Sequence, residues 1–225
     1  MPFDHNDHYH RLLLRHVPAG CRTALDVGCG TGRFARRLAA LGIDVDAIDA
    51  SEETIEAARR EAYPEARRGT YREARRESRQ GVGTEPRFRH ADLTEAELPH
   101  ASYDFISCLA CLHHMPFDTV SRLRDALKPG GVLVILGCYP ERTATDWAWS
   151  LAAAPVNAAS RLAVAMSERL SSRAPDVSEV RAPVKPPAVS FDEIRQRSAE
   201  LLPGRTLRRL LFWRCLLVFR NEAAD

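Results

Sequence analysis

Two adjacent histidines, His113 and His114, follow the apolar segment YDFISCL at residues 103–109. An imidazole titrates near neutral pH and can take a proton from a hydroxyl or an ammonium group. The strand-like segment before them places both histidines at the carboxyl edge of a sheet, where open α/β sheets bind their ligands. The pair could therefore supply a general base, or one of the rings could serve only packing or positioning.

The apolar segment TALDVG at residues 23–28 leads into a glycine-rich stretch, with glycines at positions 28, 30 and 32. Such glycines let the backbone turn sharply and approach a ligand closely. Asp49 ends the next strand-like segment, where a carboxylate can take both hydroxyls of a ribose. Arg33 breaks the G-x-G-x-x-G pattern of dinucleotide sites, and no Gly-Lys-Ser/Thr phosphate loop is present. The predicted ligand is an adenosine without phosphates.

Length, charge and composition limit the classes of protein to which the chain can belong. The chain has 225 residues and a net charge of +2, which suits a single domain and does not require nucleic acid as a partner. The N-terminal sequence lacks the apolar core of a secretory signal, and no apolar run reaches the ~18 residues of a membrane span. Several of the six cysteines lie in apolar runs, as reduced core thiols do. We predict a cytoplasmic monomer or homodimer without disulfides.

Strand-like and helix-like segments alternate, which predicts a parallel sheet with helices on both faces. The predicted strands cover residues 23–28, 43–49, 88–92, 103–109 and 132–138, with two more in a C-terminal hairpin. The predicted helices cover residues 32–42, 52–63, 116–127 and 190–202. The first of these helices places Phe34, Leu38 and Leu41 on one buried face. Ser190 and Glu193 form a capping box at the start of the last.

Two stretches interrupt this alternation. Residues 64–87 are Arg-rich, and their interleaved glutamates favour a solvated surface insertion over an RNA-binding one. Residues 140–189 contain Trp147, Trp149 and Met166 and end in a Pro-rich linker. These three side chains could line an apolar pocket above the sheet edge, or they could pack this roof onto the sheet. Both alternatives stay open at this point.

The stretch ALDVGCGTG at residues 24–32 resembles the first motif of class I S-adenosylmethionine-dependent methyltransferases. Four further stretches resemble later motifs of that family in the same order: AIDAS, HADLTEAELP, YDFISCLACLHHM and LRDALKPGGVLVIL. The C-terminal LPGRTLRRLLFWRCLLVFR resembles its closing hairpin. The resemblance implies a Rossmann-like, doubly wound α/β fold, with a mostly parallel seven-stranded sheet whose last strand is antiparallel. It also implies S-adenosylmethionine as the cofactor and methyl transfer as the activity.

The same resemblance implies roles for individual residues. Asp26 would help hold the glycine loop and the methionine end of the cofactor, Asp49 would bind the ribose, and Asp92 would bind the adenine amino group. Asp92 could instead cap the segment that follows it. The full set that the resemblance implies for cofactor binding is Tyr9, Asp26, Gly28, Cys29, Gly30, Asp49, Ala50, Asp92, Leu93 and Leu109.

The N-terminal residues 1–19 resemble the leading helix that these enzymes often lay over the cofactor. Tyr9 and His10 would then face the ligand. The alternative is a docking helix, whose apolar side would be formed by Leu12, Leu13 and Val17.

Methyl transfer from an activated sulfonium needs alignment and exclusion of water more than it needs a base. We predict a small-molecule acceptor, a biosynthetic or specialised metabolite, with His113 or His114 as the candidate base. One alternative is an RNA or protein methyltransferase. Another is a protein of this fold that binds the cofactor and catalyses a non-methylating reaction. A zinc site at CLACLHH would need a second ligand pair that the sequence lacks, so no metal is predicted.

Overall fold

The computed structural model of the chain describes residues 5–62, 85–149 and 186–222. Most of the Arg-rich insertion predicted at 64–87 and most of the roof predicted at 140–189, Met166 included, lie outside these residues.

Helices and strands alternate in the order that the sequence predicts. Within the described residues the helices with defined bounds are α1 His5–Leu14, α2 Arg33–Ala39, α3 Glu52–Ala62, α4 Thr119–Ala126 and α5 Phe191–Leu201. The strands are β1 Thr23–Val27, β2 Asp44–Asp49, β3 Arg87–His90, β4 Tyr103–Leu109, β5 Leu127–Cys138, β6 Thr206–Leu210 and β7 Arg214–Arg220. A 3₁₀ turn, Leu112–His114, follows β4, and residues 144–149 are helical.

The strands form one sheet in the order β3-β2-β1-β4-β5-β7-β6. The pairings among the first five strands are parallel, and β7 runs antiparallel to both of its neighbours. The predicted doubly wound, mostly parallel seven-stranded sheet with an antiparallel last strand is confirmed. The chain order reverses between β1 and β4, and open α/β sheets bind their ligands beside such a switch point.

Apolar side chains cover both faces of the sheet. Along β5, Leu133 and Ile135 enter the cluster under α4 and α5, while Val132 and Val134 enter the cluster under α1, α2 and α3. Each fully buried aliphatic side chain stabilises the fold by roughly 1.5–3 kcal/mol. The sheet is therefore held from both sides, and its carboxyl edge has a fixed shape. No helix among the described residues is long and apolar enough to cross a membrane.

The helix after the glycine-rich stretch is shorter than the sequence predicts. It ends at Ala39 and is capped by Ala40, whose N–H bonds to the carbonyl oxygens of Arg36 and Leu38. Leu41 follows this cap and is 59% exposed. The prediction that Leu41 lies on the buried face is wrong, because the helical periodicity stops before that residue.

One pair of cysteines departs from the sequence prediction. Cys108 and Cys111 are joined by a disulfide with their Cα atoms 6.0 Å apart, so the prediction of a protein without disulfides is wrong. Ala110 lies between them with φ of +52°, and this left-handed residue turns the chain after β4. Because of the turn, Cys111 returns beside Cys108 within the separation that a disulfide needs.

The capping box at the last helix is confirmed. Ser190 has extended backbone dihedrals, and its side chain accepts a hydrogen bond from the Glu193 N–H at 3.2 Å. The bond satisfies one of the free N–H groups of the first turn of α5. It fixes where α5 begins, and the helix packs against the same apolar cluster as α4.

Candidate active site

The glycine loop between β1 and α2 leaves room above its backbone. Gly28 and Gly30 have φ of +63° and +53°. A Cβ on Gly28 would lie 2.3 Å from the Cβ of Cys111, whereas a Cβ on Gly30 would meet nothing within 4 Å. Gly28 is therefore needed for close packing against the segment after β4, while the space above Gly30 is open to a ligand.

Asp49 lies half-buried at the carboxyl end of β2 and fixes the geometry of this loop. Its Oδ2 accepts a hydrogen bond from the Gly30 N–H at 2.8 Å. Its Oδ1 accepts from the Ser51 N–H at 2.8 Å and from the Thr54 hydroxyl at 3.2 Å. A carboxylate offers about four acceptor positions. Asp49 can therefore hold the loop and still accept a hydrogen bond from a ligand.

Asp26 lies near the end of β1 and is 1% exposed. Its Oδ1 accepts a hydrogen bond from the Ser107 hydroxyl at 2.7 Å, while Oδ2 has no partner among the described residues. Burial, with a smaller contribution from the Asp49 carboxylate, raises the pKa of Asp26 to about 7. An unpaired buried acceptor is costly. The site is therefore suited to a ligand that brings a donor or a positive charge.

The titration of Asp26 predicts a pH-dependent stability. Its pKa is about 7 in the folded protein against an ordinary 3.8, so the folded state keeps a proton that the unfolded state releases. This stabilisation is present below pH 3.8, the ordinary pKa, and it is lost as the pH rises through about 7, the pKa in the folded protein. From pH 5 to pH 8, the free energy of unfolding of Asp26→Asn relative to the parent should rise by about 2.6 kcal/mol. Urea denaturation at both pH values measures this, and a difference that is independent of pH would contradict the raised pKa.

The segment after β3 is held by its own turn. Oδ1 of the exposed Asp92 accepts hydrogen bonds from the N–H and the hydroxyl of Thr94, both at 2.8 Å. These bonds lower the pKa of the Asp92 carboxyl. Leu93 is buried, and its carbonyl oxygen accepts a hydrogen bond from Arg122 at 2.8 Å. The residues after Asp92 form a turn and not a helix. Asp92 therefore caps a turn through Oδ1, and the helix N-cap foreseen as its alternative role is not present.

The N-terminal helix α1 is docked on the sheet. The Tyr9 hydroxyl donates a hydrogen bond to the Leu211 carbonyl oxygen at 2.9 Å, and burial raises its pKa to about 12. His10 is 3% exposed and packs on the Phe34 ring with 5.0 Å between ring centroids. Leu13 is fully buried in the same cluster. These contacts are those expected of a docking helix. The Tyr9 hydroxyl is used in a hydrogen bond to the protein itself.

The remaining predicted cofactor-binding residues follow the carboxyl edge. The Cys29 N–H donates to the Ile48 carbonyl oxygen at 3.1 Å, and burial raises the pKa of the Cys29 thiol. The Ala50 carbonyl oxygen lies 3.1 Å from Nε2 of His90. Leu109 ends β4 and is partly buried. The strand ends thus bring together the predicted residues Asp26, Gly28, Cys29, Gly30, Asp49, Ala50, Asp92, Leu93 and Leu109.

The two histidines have different surroundings. They end the 3₁₀ turn after β4, and their ring centroids lie 4.1 Å apart. His113 is half-buried and lines a cavity, whereas His114 is exposed and does not line it. The turn begins directly after Cys111, which packs against Gly28 of the glycine loop, and His113 of the same turn lines the cavity.

The cavity has about 370 Å³ of free space, solvent at its mouth included. It lies among the 3₁₀ turn, β5, β7 and the start of α5. Its lining residues are Leu112, His113, Phe117, Ile135, Gly137, Cys138, Val189, Ile194, Cys215 and Leu217. Sequence reasoning missed all of these except His113, because they come from separated segments. The alternation of apolar residues in each strand marks them only as core.

Of the described part of the predicted roof, Val189 lines this cavity, whereas residues 140–149 do not. Trp147 and Trp149 are 58% and 40% exposed. The buried Asp146 ties this segment to the hairpin through an ion pair with Arg209 of β6. Asp146 also accepts hydrogen bonds from the N–H groups of Arg142 and Thr143. In the part of the roof that the structure describes, the tryptophans therefore face outward.

No group of three or more His, Cys, Asp or Glu side chains that could hold a metal ion occurs in residues 5–62, 85–149 and 186–222.

Comparison with known proteins identifies the class of protein to which this fold, with its site at the carboxyl edge of the sheet, belongs. The methyltransferase domain family matches residues 25–135. An uncharacterized methyltransferase of Mycobacterium tuberculosis is 35% identical over 223 residues, which is 97% of each chain. A ubiquinone biosynthesis O-methyltransferase of Xanthomonas euvesicatoria is 33% identical over 119 residues, covering 52% of this chain and 43% of that one. The solved structure of an S-adenosylmethionine-dependent methyltransferase from Methanosarcina mazei has a TM-score of 0.59 at 17% identity, covering 95% and 98%.

The chain belongs to the class I S-adenosylmethionine-dependent methyltransferases. It is an enzyme, and its cofactor is S-adenosylmethionine, as the sequence predicts. Two observations fit this cofactor: the unpaired Oδ2 of Asp26 suits its positively charged methionine end, and the open space above Gly30 leaves room for its body.

Proposed function

We propose that the protein methylates an oxygen of a small-molecule acceptor that lies beside His113, at the mouth of the cavity. The observation that carries this proposal is the position of the 3₁₀ turn after β4. On one side of the turn Cys111 packs against Gly28 of the cofactor loop, and on the other side Leu112 and His113 line the cavity. An acceptor beside this turn, at the mouth of the cavity, would meet the transferable methyl group directly.

The cofactor-binding residues would act in three groups along the edge. Asp26 would accept a hydrogen bond from the ammonium group of the methionine end, through the oxygen that lacks a partner among the described residues. Asp49 would bind the ribose hydroxyls while keeping its bonds to Gly30 and Ser51. Asp92 and Leu93, held by their turn, would flank the adenine.

Bound S-adenosylmethionine supplies an activated methyl group, so the chain needs to align the acceptor and remove its proton. His113 would take the proton of an acceptor hydroxyl as the new carbon–oxygen bond forms. The apolar lining of the cavity would exclude water from the reacting atoms. His114, which is exposed, would pack on the His113 ring and would not act as the base.

The alternatives differ in what supports them. The similarity to a ubiquinone biosynthesis O-methyltransferase supports a small acceptor with a hydroxyl group. An RNA or protein acceptor would be bound by the Arg-rich insertion, most of which lies outside the described residues. A non-methylating reaction would use the same cofactor edge, so only a product assay separates it from methyl transfer.

The proposal is tested with S-adenosylmethionine that carries an isotopic label on its methyl group. The labelled cofactor is incubated with the enzyme and with phenols, aliphatic alcohols, amines, bulk RNA or an unfolded protein. We expect label in an organic-extractable methyl ether, accompanied by an equal amount of S-adenosylhomocysteine. Label in RNA or protein, with none in any small molecule, would overturn the proposal.

A further inference from the structure

We infer that Arg122 of α4 is a positioning residue for the adenine of the cofactor, because it holds the backbone after β3 in the shape that recognises this base. The inference rests on the placement of adenine at Asp92 and Leu93 in the proposed function. It adds the residue that gives this placement its selectivity for adenine over hypoxanthine, the base in which an oxo group replaces the amino group.

The half-buried Arg122 side chain binds the backbone of one short segment. Its Nη1 donates to the Leu93 carbonyl oxygen at 2.8 Å and to the Thr94 carbonyl oxygen at 2.5 Å, and its Nη2 donates to the Ala96 carbonyl oxygen. Within the described residues, no carboxylate forms an ion pair with Arg122. A guanidinium presents its donors in a rigid, planar fork, so the three carbonyl groups are held at fixed relative positions.

The helix that carries Arg122 is anchored in the core. Val120 and Leu123 of α4 are fully buried, and they lie in the same apolar cluster as the Leu93 side chain. Leu93 is therefore fixed twice, through its side chain by packing and through its carbonyl oxygen by Arg122. A segment that is fixed in this way has its shape before the cofactor binds, and such pre-organisation increases affinity.

The segment keeps one acceptor and one donor for a base. The contacts within the turn use Oδ1 of Asp92 and the N–H groups of Thr94, Glu95 and Ala96. Among the described residues, neither Oδ2 of Asp92 nor the N–H of Leu93 has a hydrogen-bond partner. The Watson–Crick edge of adenine offers an amino donor beside a ring-nitrogen acceptor, and hypoxanthine reverses both. An acceptor and a donor on adjacent residues therefore match adenine and oppose hypoxanthine.

The test compares the binding of S-adenosylhomocysteine with that of S-inosylhomocysteine, its deaminated form, by titration calorimetry. We expect the parent to prefer S-adenosylhomocysteine at least about tenfold. Arg122→Met retains an unbranched apolar side chain and removes every donor. It should bind S-adenosylhomocysteine about tenfold more weakly, and its preference should fall at least about threefold. A folded Arg122→Met variant that keeps the parental preference would overturn the inference, whatever its affinity.

Arg124 provides a matched control on the same helix. It donates to the Leu201 carbonyl oxygen of α5 at 3.0 Å, so Arg124→Met removes an equal charge and a bond to a carbonyl group elsewhere. Both affinities should stay within about twofold of the parent. Arg122→Lys keeps a donor that can reach one carbonyl group, and its preference should lie between those of the parent and Arg122→Met. It also replaces Arg122→Met if that variant does not fold. Equal effects of methionine at positions 122 and 124 would contradict the inference.

Asp92→Asn separates the role of Arg122 from the placement of adenine on which it rests. The amide can present a donor where the carboxylate presents an acceptor, so this variant should lose most of the preference for adenine. If Asp92→Asn keeps the parental preference, the proposed placement of adenine is wrong and the inference fails with it. If Asp92→Asn loses the preference while Arg122→Met keeps it, the placement stands and the role of Arg122 is wrong. Methylation of a hydroxyl group is tested independently by the labelled cofactor.

Discussion

Replacing His113 by alanine is expected to lower kcat for methyl transfer by about 10²–10⁴-fold, the range for loss of a positioned acid–base group. The same replacement at His114 should change kcat by less than about threefold, because that ring is exposed and does not line the cavity. Cofactor affinity should stay near that of the parent in both variants, since the proposed role of His113 is toward the acceptor. Steady-state kinetics on a phenolic acceptor, with calorimetric titration of the cofactor, measures all of these quantities.

The pH profile separates a base from a packing residue. The parent enzyme should lose activity at acidic pH, where the imidazole is protonated and cannot accept the proton of the acceptor. The His113→Ala variant should lack this acidic limb, and His114→Ala should keep it. If His113→Ala retains near-normal turnover with an unchanged pH profile, methyl transfer proceeds by alignment alone and the assignment of a base is wrong.

Replacing Asp49 by alanine is expected to weaken the binding of S-adenosylmethionine by about 10²-fold. The carboxylate would lose hydrogen bonds to the ribose hydroxyls, and bonds to a charged group contribute about 1.5–3 kcal/mol each. The variant would also release the Gly30 and Ser51 N–H groups that Asp49 holds. Calorimetric titration with S-adenosylhomocysteine measures the change in affinity.

A matched control lies at the other end of the same strand. Asp44 begins β2 and forms an ion pair with Arg87 at 2.5 Å, far from the glycine loop along the strand. Asp44→Ala removes an equal charge and should leave cofactor affinity nearly unchanged. A folded Asp49→Ala variant with parental affinity would show that the ribose is bound elsewhere.

The sequence predicts much of the fold because strand ends are marked by local features. Two local features, the glycine stretch that follows β1 and the aspartate Asp49 that ends β2, predict where the cofactor binds. Neither prediction requires knowledge of contacts between distant segments. Parallel strands align their carboxyl ends, so residues that are far apart in sequence are expected at the same edge. The order of the central strands and the antiparallel β7 follow from the same motifs.

The errors have local physical causes. Leu41 belongs to an apolar periodicity that continues past the end of its helix, and only the cap at Ala40 shows that the helix has stopped. The disulfide depends on the left-handed backbone at Ala110, which is not a residue type that favours positive φ. Neither feature leaves a signal in the pattern of apolar residues.

The cavity could not be predicted because it is a property of packing between distant segments. Val189 precedes α5, Gly137 lies in β5 and Cys215 lies in β7, and each of them reads as an ordinary core or loop residue. The different surroundings of His113 and His114 depend in the same way on the 3₁₀ turn that carries them. A sequence of two adjacent histidines predicts a base at this edge but does not distinguish which ring faces the acceptor.

The most direct measurement is a crystal structure of the enzyme with S-adenosylhomocysteine bound. We expect the ribose hydroxyls within hydrogen-bond distance of the Asp49 carboxylate and the methionine ammonium on Oδ2 of Asp26. The sulfur should face His113 and the mouth of the apolar cavity, so that a methyl group on it would point toward an acceptor there. A cofactor whose ribose is turned away from Asp49, or whose sulfur faces away from His113, would contradict the proposed site.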